Sequence, residues 1–429
     1  MQTHLIGVAG LVVVFVIGTL RPINLGALGL VATFLVGALV VGESVGPMFE
    51  GFPVDLLVLL TGITYLFGIA ANNGTVAVVV ESAAGLVKGR PALIPWMVFV
   101  VASLPAMGGA LGSAGVALLA PIALRLARRY GIDRRMIGLL VVHGAAAGNF
   151  SPLNVLGAIV QQAVTQNGFA ISMSMLFFGN LVYNVGLAVV IVAVCSRRGE
   201  TRLSPSSSME IASAPESAIE PHRARLGIDQ ICTVIGLLLV AVGALVFGLN
   251  IGLLAMTVAV TLHLIFPRSS GDATAQIAWG VVLLVCGIVT YVAALQRYGT
   301  VDAVGAGIAD MTTPLVAGLL LCGVGAVTSA FASSAGILGA LVPLALPLMA
   351  QGALHPTGVV VALAISATVV DATPFSTVGA LVVANAEEDE RPRVYRGLLA
   401  WGAIMVATAP FIAWLLFIVI PSLTTSGAP

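Results

Sequence analysis

Residues 149–158, Asn-Phe-Ser-Pro-Leu-Asn-Val-Leu-Gly-Ala, and 371–380, Asp-Ala-Thr-Pro-Phe-Ser-Thr-Val-Gly-Ala, decide the fold of this chain. Each places a proline inside a long apolar run. Pro152 and Pro374 have no backbone N–H, and each disfavours helical geometry in the residue before it, Ser151 or Thr373. Both segments therefore read as helices that open near their middle. The two decapeptides lie 222 residues apart. The same register links Pro121 to Pro343 at 222, Ser113-Ala114-Gly115 to Ser334-Ala335-Gly336 at 221, and Gly74-Thr75 to Gly299-Thr300 at 225. A nearly constant offset over such a stretch marks an internal duplication.

The surroundings of these segments demand a membrane. Of 429 residues, 59% are hydrophobic and 8% charged, against about 25% charged in soluble domains. Too few charges remain to cover a water-facing surface. That excludes a cytosolic enzyme, a secreted disulfide scaffold and nucleic-acid binding; eighteen basic and eighteen acidic residues cancel, so no polyanionic partner is implied. Cys195, Cys232, Cys286 and Cys322 are scattered through apolar runs and read as small buried hydrophobes.

A membrane-crossing helix needs about 20 apolar residues. Full crossings are expected near 4–20, 23–41, 55–72, 136–162, 173–195, 228–248, 251–266, 274–295, 357–385 and 398–420. The first has no basic start or cleavage site and reads as a retained helix. Segments 91–124 and 312–350 carry Gly and Pro at their centres and read as re-entrant helical hairpins. This arrangement puts seventeen of the eighteen basic residues on one side, all but Arg297, and the positive-inside bias makes that side the cytoplasm. The loop at 125–135 holds five arginines, whereas its repeat mate at 347–357 holds none, so the copies have opposite orientation. The expected fold is an all-α polytopic membrane protein of two inverted-topology repeats, each with a re-entrant hairpin and a Pro-broken transmembrane helix. Repeat 1 covers 1–196 (hairpin 91–124, broken helix 136–162) and repeat 2 covers 227–429 (hairpin 312–350, broken helix 357–385). Between them 197–226, rich in Ser, Pro and charge, reads as a disordered cytoplasmic linker.

Inverted repeats with broken helices are a mark of secondary transporters, with the substrate bound near the midplane where the repeats meet. Opened helices leave amides and carbonyls that cost several kcal/mol each in lipid unless partnered. Asn149, Ser151, Asn154, Thr373, Ser376 and Thr377 can partner them. The helix start after each break attracts an anion, and the carbonyls before it attract a cation. Asp371 stands in a run, 311–386, with no other acid. A carboxylate there costs about 2.5–3.5 kcal/mol, which usually marks an ion or proton path. Its mate, Asn149, keeps the shape without the charge. The hairpin tips, 108–115 and 328–336, offer small residues and the hydroxyls of Ser113, Ser333 and Ser334. His143, six residues before Asn149, reads as a proton carrier or as a hydrogen-bonded packing residue. Residues 74–89 and 300–310 suit interfacial helices. No nucleotide-binding or metalloprotease motif occurs. A membrane hydrolase built on Ser113 lacks a partner histidine other than His143.

The two repeats, their hairpins and the segments Gly148-Asn149-Phe150-Ser151-Pro152-Leu153-Asn154 and Asp371-Ala372-Thr373-Pro374-Phe375-Ser376-Thr377 resemble the divalent anion/sodium symporter fold of the ion transporter superfamily, and more closely the dicarboxylate (malonate-type) carriers of bacteria. The resemblance implies a homodimer in the bacterial inner membrane that moves a hairpin-plus-broken-helix unit against a scaffold. It implies that Ser113, Asn149, Ser151, Pro152, Ser333, Ser334, Thr373 and Pro374 line the substrate and ion sites. Adding the residues read directly, the expected substrate set also includes Asn154, Ser376 and Thr377, and the coupling set is Asp371, Asn149, Ser113 and Ser334. The partners expected are a small organic anion, Na+ or H+, and the bilayer; no cofactor is expected beyond a bound Na+. The competing expectation is a cation/proton antiporter without organic substrate.

Overall fold

The computed structural model describes residues 2–21, 23–76, 78, 82, 90–199, 227–301, 303–304, 313–331, 333–350 and 354–425. All regular structure among them is helical. Repeat 1 comprises α1 (Gln2–Leu20), α2 (Leu25–Leu35), α3 (Val54–Asn72), α4 (Ile94–Met107), α5 (Gly112–Arg129), α6 (Arg134–Gly148), α7 (Val155–Thr165) and α8 (Met173–Gly199). Repeat 2 comprises α9 (Ile228–Leu245), α10 (Ile251–Ile265), α11 (Trp279–Arg297), α12 (Pro314–Ser329), α13 (Ser334–Ala350), α14 (Pro356–Val369), α15 (Thr377–Ala384) and α16 (Arg391–Trp414). The correspondence is element by element. Helices α3 and α11 are both 19 residues long and start 225 apart; α5 and α13, α6 and α14, and α7 and α15 each start 222 apart.

The fold is the expected all-α membrane architecture, and its two halves pack in mirrored pairs. Helix α2 lies against α11 so closely that a Cβ on Gly26 would stand 1.9 Å from the Leu283 carbonyl oxygen. In the other copy a Cβ on Gly62 of α3 would stand 2.3 Å from the Gly252 oxygen of α10. Lipid removes most of the hydrophobic drive for helix association, so such small-residue contacts hold the scaffold by close packing. The return arms cross over: α5 packs on α15 of the other repeat, and α13 packs on α7. Helices α6 and α14 are buried along nearly their whole length and are apolar on nearly all sides, the pattern of central helices. By contrast α8 and α16 expose large apolar side chains such as Phe178, Val182, Ile404 and Phe411, as lipid-facing helices do.

Several boundaries differ from the sequence reading. The span expected from 274 begins at Trp279, because Ala273–Gln276 forms a 3-10 turn. Helix α16 begins at Arg391 instead of 398; Pro392 sits in its first turn, where its missing N–H costs nothing. Helix α2 continues through a π-helical turn, Val36–Val41. The first three residues of the linker read at 197–226 prolong α8, and 200–226 lie outside the described residues. Most of the interfacial segments 74–89 and 300–310 also lie outside them.

The arginine-rich loop before α6 meets the acidic loop before α16. Arg128 pairs with Glu387, Arg134 pairs with Glu390, and Arg393 lies 4.0 Å from Asp133. Asp133 caps α6 by accepting from the Arg135 amide at 2.9 Å, and it also pairs with the Arg135 guanidinium at 2.6 Å. Burial alone would raise the Asp133 carboxyl; the Arg135 hydrogen bonds and nearby guanidinium charges outweigh it and hold the carboxyl below the usual range. Elsewhere Arg297 pairs with Glu43 at 3.4 Å.

Candidate functional site

Both prolines open their helices. In repeat 1, α6 stops at Gly148 and α7 begins at Val155. In repeat 2, α14 runs into a 3-10 turn, Val370–Ala372, and α15 begins at Thr377. Each opened segment is tied to the tip of its own hairpin by a hydroxyl. Ser151 Oγ donates to the Met107 carbonyl at 2.6 Å, and Thr373 Oγ1 donates to the Ala330 carbonyl at 2.7 Å. Each restarted helix has a side-chain cap. Asn154 Oδ1 accepts from the Leu156 amide at 2.8 Å, and Ser376 Oγ accepts from the Gly379 amide at 3.1 Å. A glycine follows each cap because the opened strand folds back on the new helix: a Cβ on Gly157 would lie 3.0 Å from the Ser151 oxygen, and one on Gly379 2.0 Å from the Thr373 oxygen.

These contacts reassign part of the expected substrate set. Asn154 spends its amide on the Ala106 carbonyl at 2.8 Å as well as on its cap. Ser376 donates to the Asp371 carbonyl at 2.5 Å and to the Thr373 carbonyl at 2.9 Å. Both side chains build the break. The carbonyl end of α6, expected to attract a cation, is occupied as well: Asn180 Nδ2 donates to Ala146 O at 2.8 Å and to Asn149 O at 3.3 Å. Thr377 opens α15 and is exposed, Pro152 is exposed, Pro374 is buried, and Ser333 is half-buried just before α13.

What remains unspent lies at the tips. Asp371 is half-buried; both its oxygens accept from one hydroxyl, Ser334 Oγ, at 2.7 and 2.6 Å. Ser329 Oγ lies 3.0 Å beyond Ser334 Oγ. Among the described residues no Lys or Arg pairs with Asp371. In the mirror position Asn149 is 5% exposed, and its Oδ1 has no hydrogen-bond partner. That oxygen faces the start of α5: a Cβ on Gly112 would stand 4.0 Å from it. Ser113, next along, is half-buried. Hairpin 2 thus supplies a hydroxyl to a carboxylate, while the start of hairpin 1's return arm faces an amide oxygen without a hydrogen-bond partner.

His143 is fully buried, with both ring nitrogens committed. Nδ1 lies 3.1 Å from Asn184 Oδ1, and Nε2 accepts from the Trp401 indole at 2.8 Å. The packing role is the one the geometry supports. The sequence reading passed over Asn180 and Asn184, although two amides at i and i+4 in an apolar span are a visible signal. Nothing in the sequence pointed to Trp401.

A polytopic helical protein whose mirrored hairpins meet paired broken helices has the architecture of a membrane carrier. Comparison with known proteins agrees. Residues 1–149 match the family described as dicarboxylate carrier protein MatC N-terminus, and residues 237–426 match the family described as citrate transporter. Among solved structures, the crystal structure of the Alcanivorax borkumensis YdaH transporter, described as having an unusual topology, superposes with a TM-score of 0.65 at 15% identity, covering 97% of this chain and 98% of that one. That likeness speaks to the fold. Direct comparison with curated proteins gives no match. Two different family models thus meet the two ends of the chain, one described as a dicarboxylate carrier and the other as a citrate transporter, and the structural likeness shows the fold.

Proposed function

We propose that the chain moves a small dicarboxylate across the bacterial inner membrane by alternating access, as a homodimer, with a cation or proton bound at Asp371. The observation that carries this reading is the state of Asp371, a half-buried carboxylate with one hydroxyl donor and no counter-charge among the described residues. An ion in such surroundings needs neutralisation; a bound Na+ or a proton provides it, and either couples the site to an ion gradient. Among the described residues the substrate anion would meet no Lys or Arg beside Asp371. Its attraction comes from the starts of α7 and α15, whose amides face the breaks, from the Ser113 and Ser333 hydroxyls, and from the cation itself. Asn149 Oδ1, an acceptor, suits a cation or a protonated carboxyl and disfavours a bare carboxylate, so it belongs to the coupling side. The hairpins and broken helices then form the unit that moves, and α1–α3 with α9–α11 form the scaffold.

Proteoliposomes test the proposal. Labelled malonate or succinate is expected to accumulate only when a sodium or proton gradient is imposed. Asp371→Asn is expected to abolish the gradient dependence while the purified variant keeps its thermal midpoint within a few degrees. Wild-type rates and ion dependence in that variant would refute the coupling role. Sodium/proton exchange with no carboxylate flux would refute the substrate class.

A further inference from the structure

A second polar chain runs behind the first break, away from the tips. Trp401 on α16 of repeat 2 donates its indole N–H to His143 Nε2 at 2.8 Å. The two rings meet edge-on, with centroids 5.9 Å apart and planes at 78°. His143 Nδ1 faces Asn184 Oδ1 at 3.1 Å. Asn184 Nδ2 donates to Asn180 Oδ1 at 3.0 Å and to the Asn180 carbonyl at 2.9 Å. Asn180 Nδ2 donates to the Ala146 carbonyl, at the end of α6. His143, Asn180 and Asn184 are each 0% exposed.

The polarity of this chain is fixed from both ends. An indole N–H can only donate and a carbonyl can only accept. Trp401 therefore makes Nε2 the acceptor, which places the imidazole hydrogen on Nδ1 and turns Asn184 Oδ1 toward it. The Asn184 amide then donates onward, and Asn180 does the same. One orientation of every ambiguous group satisfies both ends. A proton added at Nε2 would set donor against donor at Trp401, so the imidazole serves in its neutral Nδ1–H form.

We propose that Trp401, His143, Asn184 and Asn180 form a one-directional positioning relay by which a helix of repeat 2 holds open the first break. Among the described residues none of the four has a hydrogen bond or ring contact to the hairpin tips; they are positioning residues acting through the carbonyls of Ala146 and Asn149. Among the described residues the second break has no such relay. At the offset of 222 from Asn180 stands Gly402, whose Cβ would lie 3.0 Å from Thr373 Cα, so there α16 holds the break by direct contact. The relay concerns the architecture of the break; only the transport half of its test rests on the carrier reading above.

Four variants of the full-length protein test it. Trp401→Phe removes one N–H and keeps a ring. His143→Leu removes both polar contacts. His143→Gln can accept from Trp401 and donate to Asn184, and so keeps the polarity. Trp414→Phe removes an indole bond made elsewhere, to Leu315 O. Amide hydrogen exchange is read at 149–157 and, as internal reference, at 371–379. Trp401→Phe and His143→Leu are expected to speed exchange at 149–157 about 10-fold, the factor expected for one net hydrogen bond, with 371–379 unchanged. His143→Gln and Trp414→Phe are expected to leave 149–157 as in the parent. In proteoliposomes the first two variants should raise the KM for malonate uptake, and His143→Gln should restore it. Exchange at 149–157 unaltered in both Trp401→Phe and His143→Leu, or equal acceleration at the two breaks, would overturn the relay. Expected exchange with no carboxylate uptake in any form, the parent included, would instead remove the carrier assignment and leave the relay standing.

Discussion

The two breaks share a spacing, a hydroxyl tie to the hairpin tip and a side-chain cap, and differ in what else holds them. The first opens abruptly. Phe150 is the one non-glycine with positive φ among the described residues, at 64°, and it is fully buried. A left-handed phenylalanine costs about 1–2 kcal/mol, and the surrounding amides must repay it. The second break unwinds through a 3-10 turn, with Ala372 in the place of Phe150, and leans on Gly402. The first break spends neutral amides on its own carbonyls; the second keeps a carboxylate in play. Duplication therefore preserved a shape while the forces behind it diverged. One pole is braced and uncharged, the other lightly braced and charged, which suits a carrier that binds an ion at one side of its substrate.

The sharpest test of that asymmetry is the charge. Asp371→Asn makes the poles alike, and coupled malonate uptake is expected to fall on the order of 100-fold, equivalent to the roughly 3 kcal/mol upper worth of a hydrogen bond to a charged group. A drop of less than about threefold would remove charge from the contrast. Next in size is the brace of the second break. Gly402→Ala drives a methyl to 2.4 Å from Thr373 Cγ2 and is expected to destabilise by about 1–3 kcal/mol. Gly186→Ala, which meets nothing within 4 Å, should leave thermal stability unchanged or raised. Equal thermal shifts in the two would show that Gly402 braces nothing.

Smaller again is the cap at the start of the first broken helix. Asp133→Ala should cost about 1 kcal/mol, with Asp133→Asn recovering much of it through the cap. The carboxyl is held below its ordinary value in the folded protein. Its contribution is therefore fully present above the unfolded value of about 3.9 and fades as the pH falls through the lower folded value. Thermal midpoints taken between pH 7 and 5 should be flat in this respect. At the bottom of the scale, Arg128→Ala removes one exposed pair with Glu387, and no shift in midpoint is expected.

Much of this was legible in the sequence. Two prolines in apolar runs gave the breaks, glycine-rich centres gave the hairpins, and a steady offset gave the duplication. Arginines confined to one set of loops gave its inversion. Asn154 and Ser376 were legible but ambiguous. A short polar residue just before a helical run is a cap signal and a ligand signal at once, and only the contact to Ala106 or to the neighbouring carbonyls separates them. The left-handed Phe150 was invisible, because phenylalanine has no preference for that conformation and tertiary packing imposes it. Trp401 was invisible too, since its partner lies 258 residues away. The Gly402 brace emerges only once Asn180 is known to matter, when the shared offset leads from one residue to the other.

The arginine clasp has a consequence for how this molecule responds to its surroundings. Arg128 ends the return arm of hairpin 1 and Arg134 starts the next helix, and Glu387 and Glu390 belong to the loop that leaves the second broken helix. Under the mechanism proposed here, both ends ride on one travelling body. A bond whose ends travel together weighs the same at the start and the finish of the journey. Dissolved electrolyte would then loosen or tighten that body without favouring either of its resting places.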